Sequence, residues 1–274
     1  MKTISLLGSG EFETWAEEVD RLALGTAETV GRTTVLLLGE AGEEMERRDK
    51  AAREHFQRVG APVTVRRIGA RHDSFVSEVQ DELADVCMVH LSARDAGAAV
   101  RMLLGTPLWD AILGAVERGA AFAASDQAVA ALGDATIDEA GGATLWEEWP
   151  PALRLFDGTM LLPHWDVIGH ERPELQQFLA REVPADGTLI GIDDRTALIG
   201  DGDLWQVKGA GQVQIRIGDV WNTYGDGAAF LLPSAVTVLP EAEPEAPGGS
   251  DEGVVTLPDT ATTGPNQEPD LLVG

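Results

Sequence analysis

Apolar and β-branched residues gather in short runs at positions 4–7, 33–38, 63–68, 86–91 and 120–123. Runs of that length suit strands buried on both faces. Between them, the segments 14–24, 43–59, 74–83, 96–104 and 108–118 place their apolar residues at helical spacing. The alternation predicts βαβ units, and so an α/β fold with a doubly wound, mostly parallel sheet flanked by helices. Such a sheet binds ligands beyond the carboxyl ends of its strands, which here means 8–11, 39–43, 92–95 and 125–127.

Beyond position 143 the rhythm changes. Runs at 159–162 and 189–192 predict strands on either side of a helix at 173–182. Shorter runs at 197–199, 204–207, 212–217 and 235–239 are separated by turn formers at 200–203 and 209–211. They predict an antiparallel extension at the sheet edge, over about 197–239. Residues 240–274 carry eight carboxylates, six prolines and no Lys or Arg. That composition cannot bury enough apolar surface to offset ordering entropy, so it predicts a disordered acidic tail after a 1–239 domain. The tail ends in Asp270-Leu271-Leu272-Val273-Gly274, a short apolar tip suited to docking on a protein partner.

Charge narrows the function classes. The 274 residues carry a formal net charge of −26, and removing the eight tail carboxylates leaves −18. Phosphate backbones and anionic membrane surfaces would repel such a chain, so neither nucleic acid nor membrane is expected as a partner. No run approaches the roughly 18 apolar residues of a membrane span. The opening MKTISLLGSGEF turns acidic too soon for a signal peptide, which predicts a cytoplasmic location. The single cysteine, Cys87, excludes an internal disulfide and sits in an apolar run that suggests a structural thiol. No cofactor or metal is expected. Gly8-Ser9-Gly10 lacks a third glycine and a P-loop Lys, and Asp193-Asp194 has no second ligand cluster at recognisable spacing.

The candidate chemistry lies in 119–132, where a strand runs into a sharp turn and then a helix. A nucleophile elbow has the form G-x-S-x-G, whose small residues permit a strained turn that exposes the serine. Here the turn reads Ala124-Ser125-Asp126-Gln127-Ala128. Asp126 stands at the nucleophile position in the ungapped register from Gly119, and Ser125 does so after a shift of one. Asp126 is itself a possible carboxylate nucleophile, or a cap for the following helix. His164 is the candidate general base, whereas His170 reads as a surface residue. Asp138 and Glu139 are candidate triad acids or turn carboxylates, and Asp193 and Asp194 read as structural residues at a strand end.

Several segments together resemble the peptidase S51 family, which includes dipeptidase E and cyanophycinase. They are Leu6-Leu7-Gly8-Ser9-Gly10-Glu11-Phe12, Gly105-Thr106-Pro107-Leu108-Trp109, Pro163-His164-Trp165-Asp166 and the run from Gly191 through Leu198, GIDDRTAL. The resemblance spans about residues 3–217 in the family's order and implies a class I glutamine amidotransferase-like fold. It also implies His164 as the catalytic histidine. The family's elbow G-x-S-A-G-A is not kept, because Asp126 replaces the serine. Its oxyanion turn, an S-G-G-D/N pattern, reads Ser92-Ala93-Arg94-Asp95, so Ala93 and Arg94 replace the glycine pair. Loss of both elements implies a protein that has given up hydrolysis and serves as a binding or partner-associated protein. Its expected partners are a small peptide or amino-acid-like ligand, a protein engaged through Asp270–Gly274, and further copies in a homo-oligomer. Two alternatives stand beside it: a serine hydrolase of small acidic peptides using Ser125 and His164, and an Asp126-nucleophile hydrolase.

Overall fold

The computed structural model describes residues 3–136, 149–184, 186–202 and 204–232. The chain divides into two units, Met1–Pro240 and Glu241–Gly274. The second unit, the predicted strand at 235–239 and the carboxylates Asp138 and Glu139 lie outside the described residues.

The first half follows the predicted alternation. In order come β1 (Ile4–Leu7), α1 (Ala16–Thr26), β2 (Arg32–Leu38), α2 (Glu43–Val59) and β3 (Val63–Ile68). Then follow α3 (Ser77–Asp81), β4 (Val86–Ala93), α4 (Ala96–Leu103), α5 (Pro107–Glu117), β5 (Ala121–Asp126) and α6 (Gln127–Ala130). The helix expected at 74–83 is instead a 3-10 turn, Arg71–Phe75, followed by the short α3. The second half holds β6 (Thr159–Pro163), α7 (Trp165–Glu171), α8 (Pro173–Glu182), β7 (Thr188–Ile192) and β8 (Thr196–Gly200). It ends with β9 (Leu204–Gly209), β10 (Gln212–Ile217), β11 (Val220–Gly225) and β12 (Ala229–Leu231). Of these, α7, β11 and β12 have no counterpart in the sequence pattern read above.

The strands form an eight-stranded sheet in the order β12-β9-β8-β1-β5-β4-β2-β3 and a separate four-stranded sheet in the order β11-β10-β7-β6. β1, β5, β4, β2 and β3 run parallel. β8, β9 and β12 continue that sheet antiparallel at one edge. The small sheet is a departure from the single extended edge that the pattern predicts. β10 leaves β9 because Gly209, at φ +126°, turns the chain. Asp193 then draws β10 onto β7: its N–H donates to Gln212 O at 3.1 Å, and its Oδ2 accepts from Gln212 N at 2.8 Å.

Strand alternation sorts the large sheet's side chains onto two faces. On one face Leu6, Leu36, Leu91, Phe122 and Ala124 pack with Leu108 and Ile112 of α5. On the other, Val35, Leu37, Met88 and Ala123 pack with Ala52 and Phe56 of α2. The second face also carries a buried polar seam. Asp20, His55, His90 and Ser125 are all fully buried. His55 Nε2 lies 2.6 Å from Asp20 Oδ2, and His90 Nε2 lies 3.1 Å from Ser125 Oγ. Toward the strand ends, Arg48 donates to Ser92 Oγ at 2.5 Å, and that hydroxyl donates to Glu11 Oε1 at 2.5 Å. Cys87 is half-buried at the start of β4, and burial pushes its thiol up from the ordinary value. Among the described residues no single helix is long and apolar enough to cross a membrane.

Candidate active site

Asp126 ends β5 and caps α6, with φ 57° and ψ −138°. A non-glycine residue held there is strained, and such strain concentrates at functional positions. Among the described non-glycine residues only Asp126, Arg154, His164 and Arg195 share a positive φ. Three of those four lie in or beside the site described next.

The pleat decides which elbow residue faces the histidine. Successive side chains on a strand point to opposite faces, so a shift of one residue changes sides. Ser125 shares its row with Ser92 of β4 and faces the buried seam, where His90 and the carbonyl of Leu91 hold its hydroxyl. Asp126 faces the other way. Its Oδ1 lies 2.8 Å from His164 Nε2. The pairing of Ser125 with His164 is therefore corrected, because on β5 Ser125 faces the buried seam and Asp126 faces the histidine.

His164 sits between β6 and α7 in the left-handed region, at φ 55° and ψ 35°. Its Nδ1 lies 2.6 Å from Asp194 Oδ1, in the turn between β7 and β8. Asp194 is itself positioned by its backbone N–H, which donates to Asp166 Oδ1 at 2.8 Å. The structural role expected of Asp194 is thus replaced by a place in the site. Asp193 keeps one, buried and bound to the Gln212 backbone, and burial raises its carboxyl above the ordinary value. His170 is exposed on α7.

The hydrogen bond to Asp126, reinforced by the charges of Asp126 and Asp194, raises His164 above its ordinary value of 6.5 against the opposing effect of burial. Each ring nitrogen faces a carboxylate, which only the imidazolium satisfies with two N–H donors.

Arg94 closes the far side. Ala93 is the last residue of β4, and Arg94 follows it outside the left-handed region, so this turn has no positive-φ backbone. The Arg94 guanidinium pairs with Asp126 Oδ2 at 2.5 Å and with Glu44 Oε1 at 3.2 Å. Gln127 N–H, the backbone donor next to the elbow, is spent on Asp126 Oδ1 at 2.9 Å. Both Asp126 oxygens are therefore occupied, and the residue is only 2% exposed. Glu44 went unread because α2 presents many carboxylates with nothing in sequence to single one out. The DD pair of the GIDDRTAL segment was the available signal for Asp194.

A cavity of about 330 Å³ opens beside this chain of ion pairs, with Arg94, Gln127 and His164 at its lining and Ala130, Leu162 and Val167 along its apolar wall. Among the described residues no three His, Cys, Asp or Glu side chains converge to hold a metal ion.

No family model matches the sequence, and no curated protein does. Solved structures do match. A peptidase from an acI-B1 actinobacterium superposes with a TM-score of 0.76 at 20% identity, covering 85% of this chain and 97% of that one. A peptidase E-type protein from Listeria monocytogenes EGD-e superposes with a TM-score of 0.55 at 16% identity, covering 77% of this chain and 99% of that one. The chain has a peptidase S51-like fold.

Proposed function

We propose that this chain is a peptidase S51-like protein without hydrolytic activity, which binds a small peptide or amino-acid-like ligand in the cleft beside His164. The carrying observation is the closed row Arg94–Asp126–His164–Asp194, with separations of 2.5, 2.8 and 2.6 Å. Peptide hydrolysis at such an elbow needs a hydroxyl or thiol nucleophile, a neutral base beside it and free N–H donors for the developing oxyanion. Here the elbow side chain is a carboxylate neutralised from two sides, the histidine lies between two carboxylates that raise it above its ordinary value, and the adjacent N–H is already bound.

A fluorophosphonate probe followed by intact-mass measurement tests this. The wild type is expected to gain no adduct and to release no product from acidic dipeptides. A His164-dependent adduct at Ser125 would refute the reading.

One observation favours a second reading. Asp126 occupies the strained elbow with a histidine–carboxylate pair behind it, the arrangement in which a carboxylate displaces a halide or alkoxide from carbon. That chemistry predicts an alkyl-enzyme ester at Asp126 after incubation with alkyl halides, accumulating in a His164→Gln variant. No mass gain in either protein removes it.

A further inference from the structure

The charges around the cavity beside His164 are largely spent on one another. Its lining carries Arg94, His164 and Arg172 on one side of the balance, and Asp95 and Glu171 on the other. Glu44 stands on Arg94, Asp126 on both Arg94 and His164, and Asp194 on His164. Even with the imidazolium counted, five carboxylates face three cations. An anionic ligand group would meet like charge and would have to displace an ion pair already made. A charged group is therefore not what this cavity selects.

What remains is apolar surface and one amide. Val167 and Ile168 of α7 and Leu175 of α8 line the cavity half-buried, so each keeps apolar surface that a ligand can cover. Ala130 and Leu162 add buried apolar lining. Gln127 is also half-buried at the lining. Its backbone N–H is bound to Asp126, while its carboxamide is bonded to no described residue. Ala130 follows three residues later on α6, which packs against β6, so the amide and the apolar wall are neighbours. A carboxamide offers both a donor and an acceptor, the complement of a peptide group. The S51 elbow pattern has alanine at this position, so the amide is a feature of this chain.

We infer that the cavity takes a neutral apolar residue of a peptide, and that Gln127 sets this specificity by pairing with the peptide group next to that residue. A volume of about 330 Å³ lies at the small end for ligand sites, which limits the occupant to about one capped residue of leucine size. The inference rests on the reading of the site as a cleft for a small peptide or amino-acid-like ligand.

Ligand-observed NMR titrations of the full chain test it. The probes are N-acetyl-leucinamide, N-acetyl-asparaginamide, the N-acetyl α-amide of aspartic acid, and N-acetyl-leucine methyl ester. Leucine and asparagine side chains share a branched outline, so their difference reads apolar contact, and the aspartyl probe adds charge. The leucinamide is expected to bind about tenfold tighter than the asparaginamide, with the aspartyl probe weakest. The ester lacks the terminal N–H donors and should bind several-fold weaker than the leucinamide. Gln127→Met keeps the side-chain length and should erase the preference for amide over ester while keeping the preference for leucine. Val167→Trp, which fills the cavity, should weaken the leucinamide about tenfold, and a thermal melt checks that each variant folds. An aspartyl or asparaginyl probe that matches the leucinamide would overturn the inference and leave the cleft reading standing. So would an amide preference that survives Gln127→Met, or leucinamide binding unchanged by Val167→Trp. No binding of any probe at roughly 10 mM would overturn both.

Discussion

A double variant, Asp126→Ser with Arg94→Gly, should react with a fluorophosphonate at position 126 at least about a hundredfold faster than the wild type. The frame for that reaction persists. His164 Nε2 lies 2.8 Å from the Asp126 carboxylate and its Nδ1 lies 2.6 Å from Asp194, so a hydroxyl at position 126 would meet an oriented base. The elbow backbone at Asp126 already has the strained geometry that exposes a nucleophile. Removing the carboxylate also frees Gln127 N–H, and one oxyanion donor is worth about 10²–10³ in rate. Arg94→Gly clears the guanidinium from the turn that must supply a second donor. The single variant Asp126→Ser should be slower, because Arg94 still covers the site. Intact mass against time measures both. A folded double variant that stays inert would mean that His164 and Asp194 are not held for catalysis.

Asp20→Ala is expected to destabilise the domain by about 1–3 kcal/mol, the usual effect of leaving a buried polar partner unsatisfied. Asp20 and His55 are fully buried at 2.6 Å, and the ring of His90 lies 3.9 Å from the other Asp20 oxygen. Phe12 and Phe56 pack around these imidazoles, so no water replaces the lost carboxylate. Asp20→Asn keeps an acceptor and should cost less. Urea unfolding reads the difference, and a loss under about 1 kcal/mol for the alanine variant would contradict the account. The seam also has a pH signature. Burial lowers His90 below its ordinary value of 6.5, against the charges of Asp20 and Glu11. The folded state keeps this ring neutral while the unfolded chain protonates it. Its contribution is therefore present above about pH 6.5 and is lost as pH falls through the lowered folded value.

The parallel half of the fold was legible because its strands are nearly continuous apolar runs. Ile4–Leu7 and Arg32–Leu38 fall where their composition puts them. The small sheet was not legible. Gly209 and the Asp193 side chain decide that β10 pairs with β7, and neither marks a strand in sequence. At the site, His164 and Asp126 could be read from the turn signal and the family-like order. The choice between Ser125 and Asp126 needed the pleat, which sends adjacent residues to opposite faces. Arg94 read as a damaged oxyanion turn. That its guanidinium reaches across to Asp126 is a three-dimensional fact, 32 residues away along the chain.

The protonation of His164 is the most direct measure of whether the elbow is closed. A resting general base is neutral, whereas an imidazole clasped by Asp126 and Asp194 stays charged. Nitrogen-15 NMR of the ring across a pH titration reads this. Its midpoint is expected above the ordinary 6.5 and should fall in Asp126→Asn. The stability that the ion pairs give would be full below about pH 6.5 and lost as pH rises through the raised midpoint. A midpoint at or below 6.5, unmoved by Asp126→Asn, would return His164 to the role of a free base and contradict the closed site.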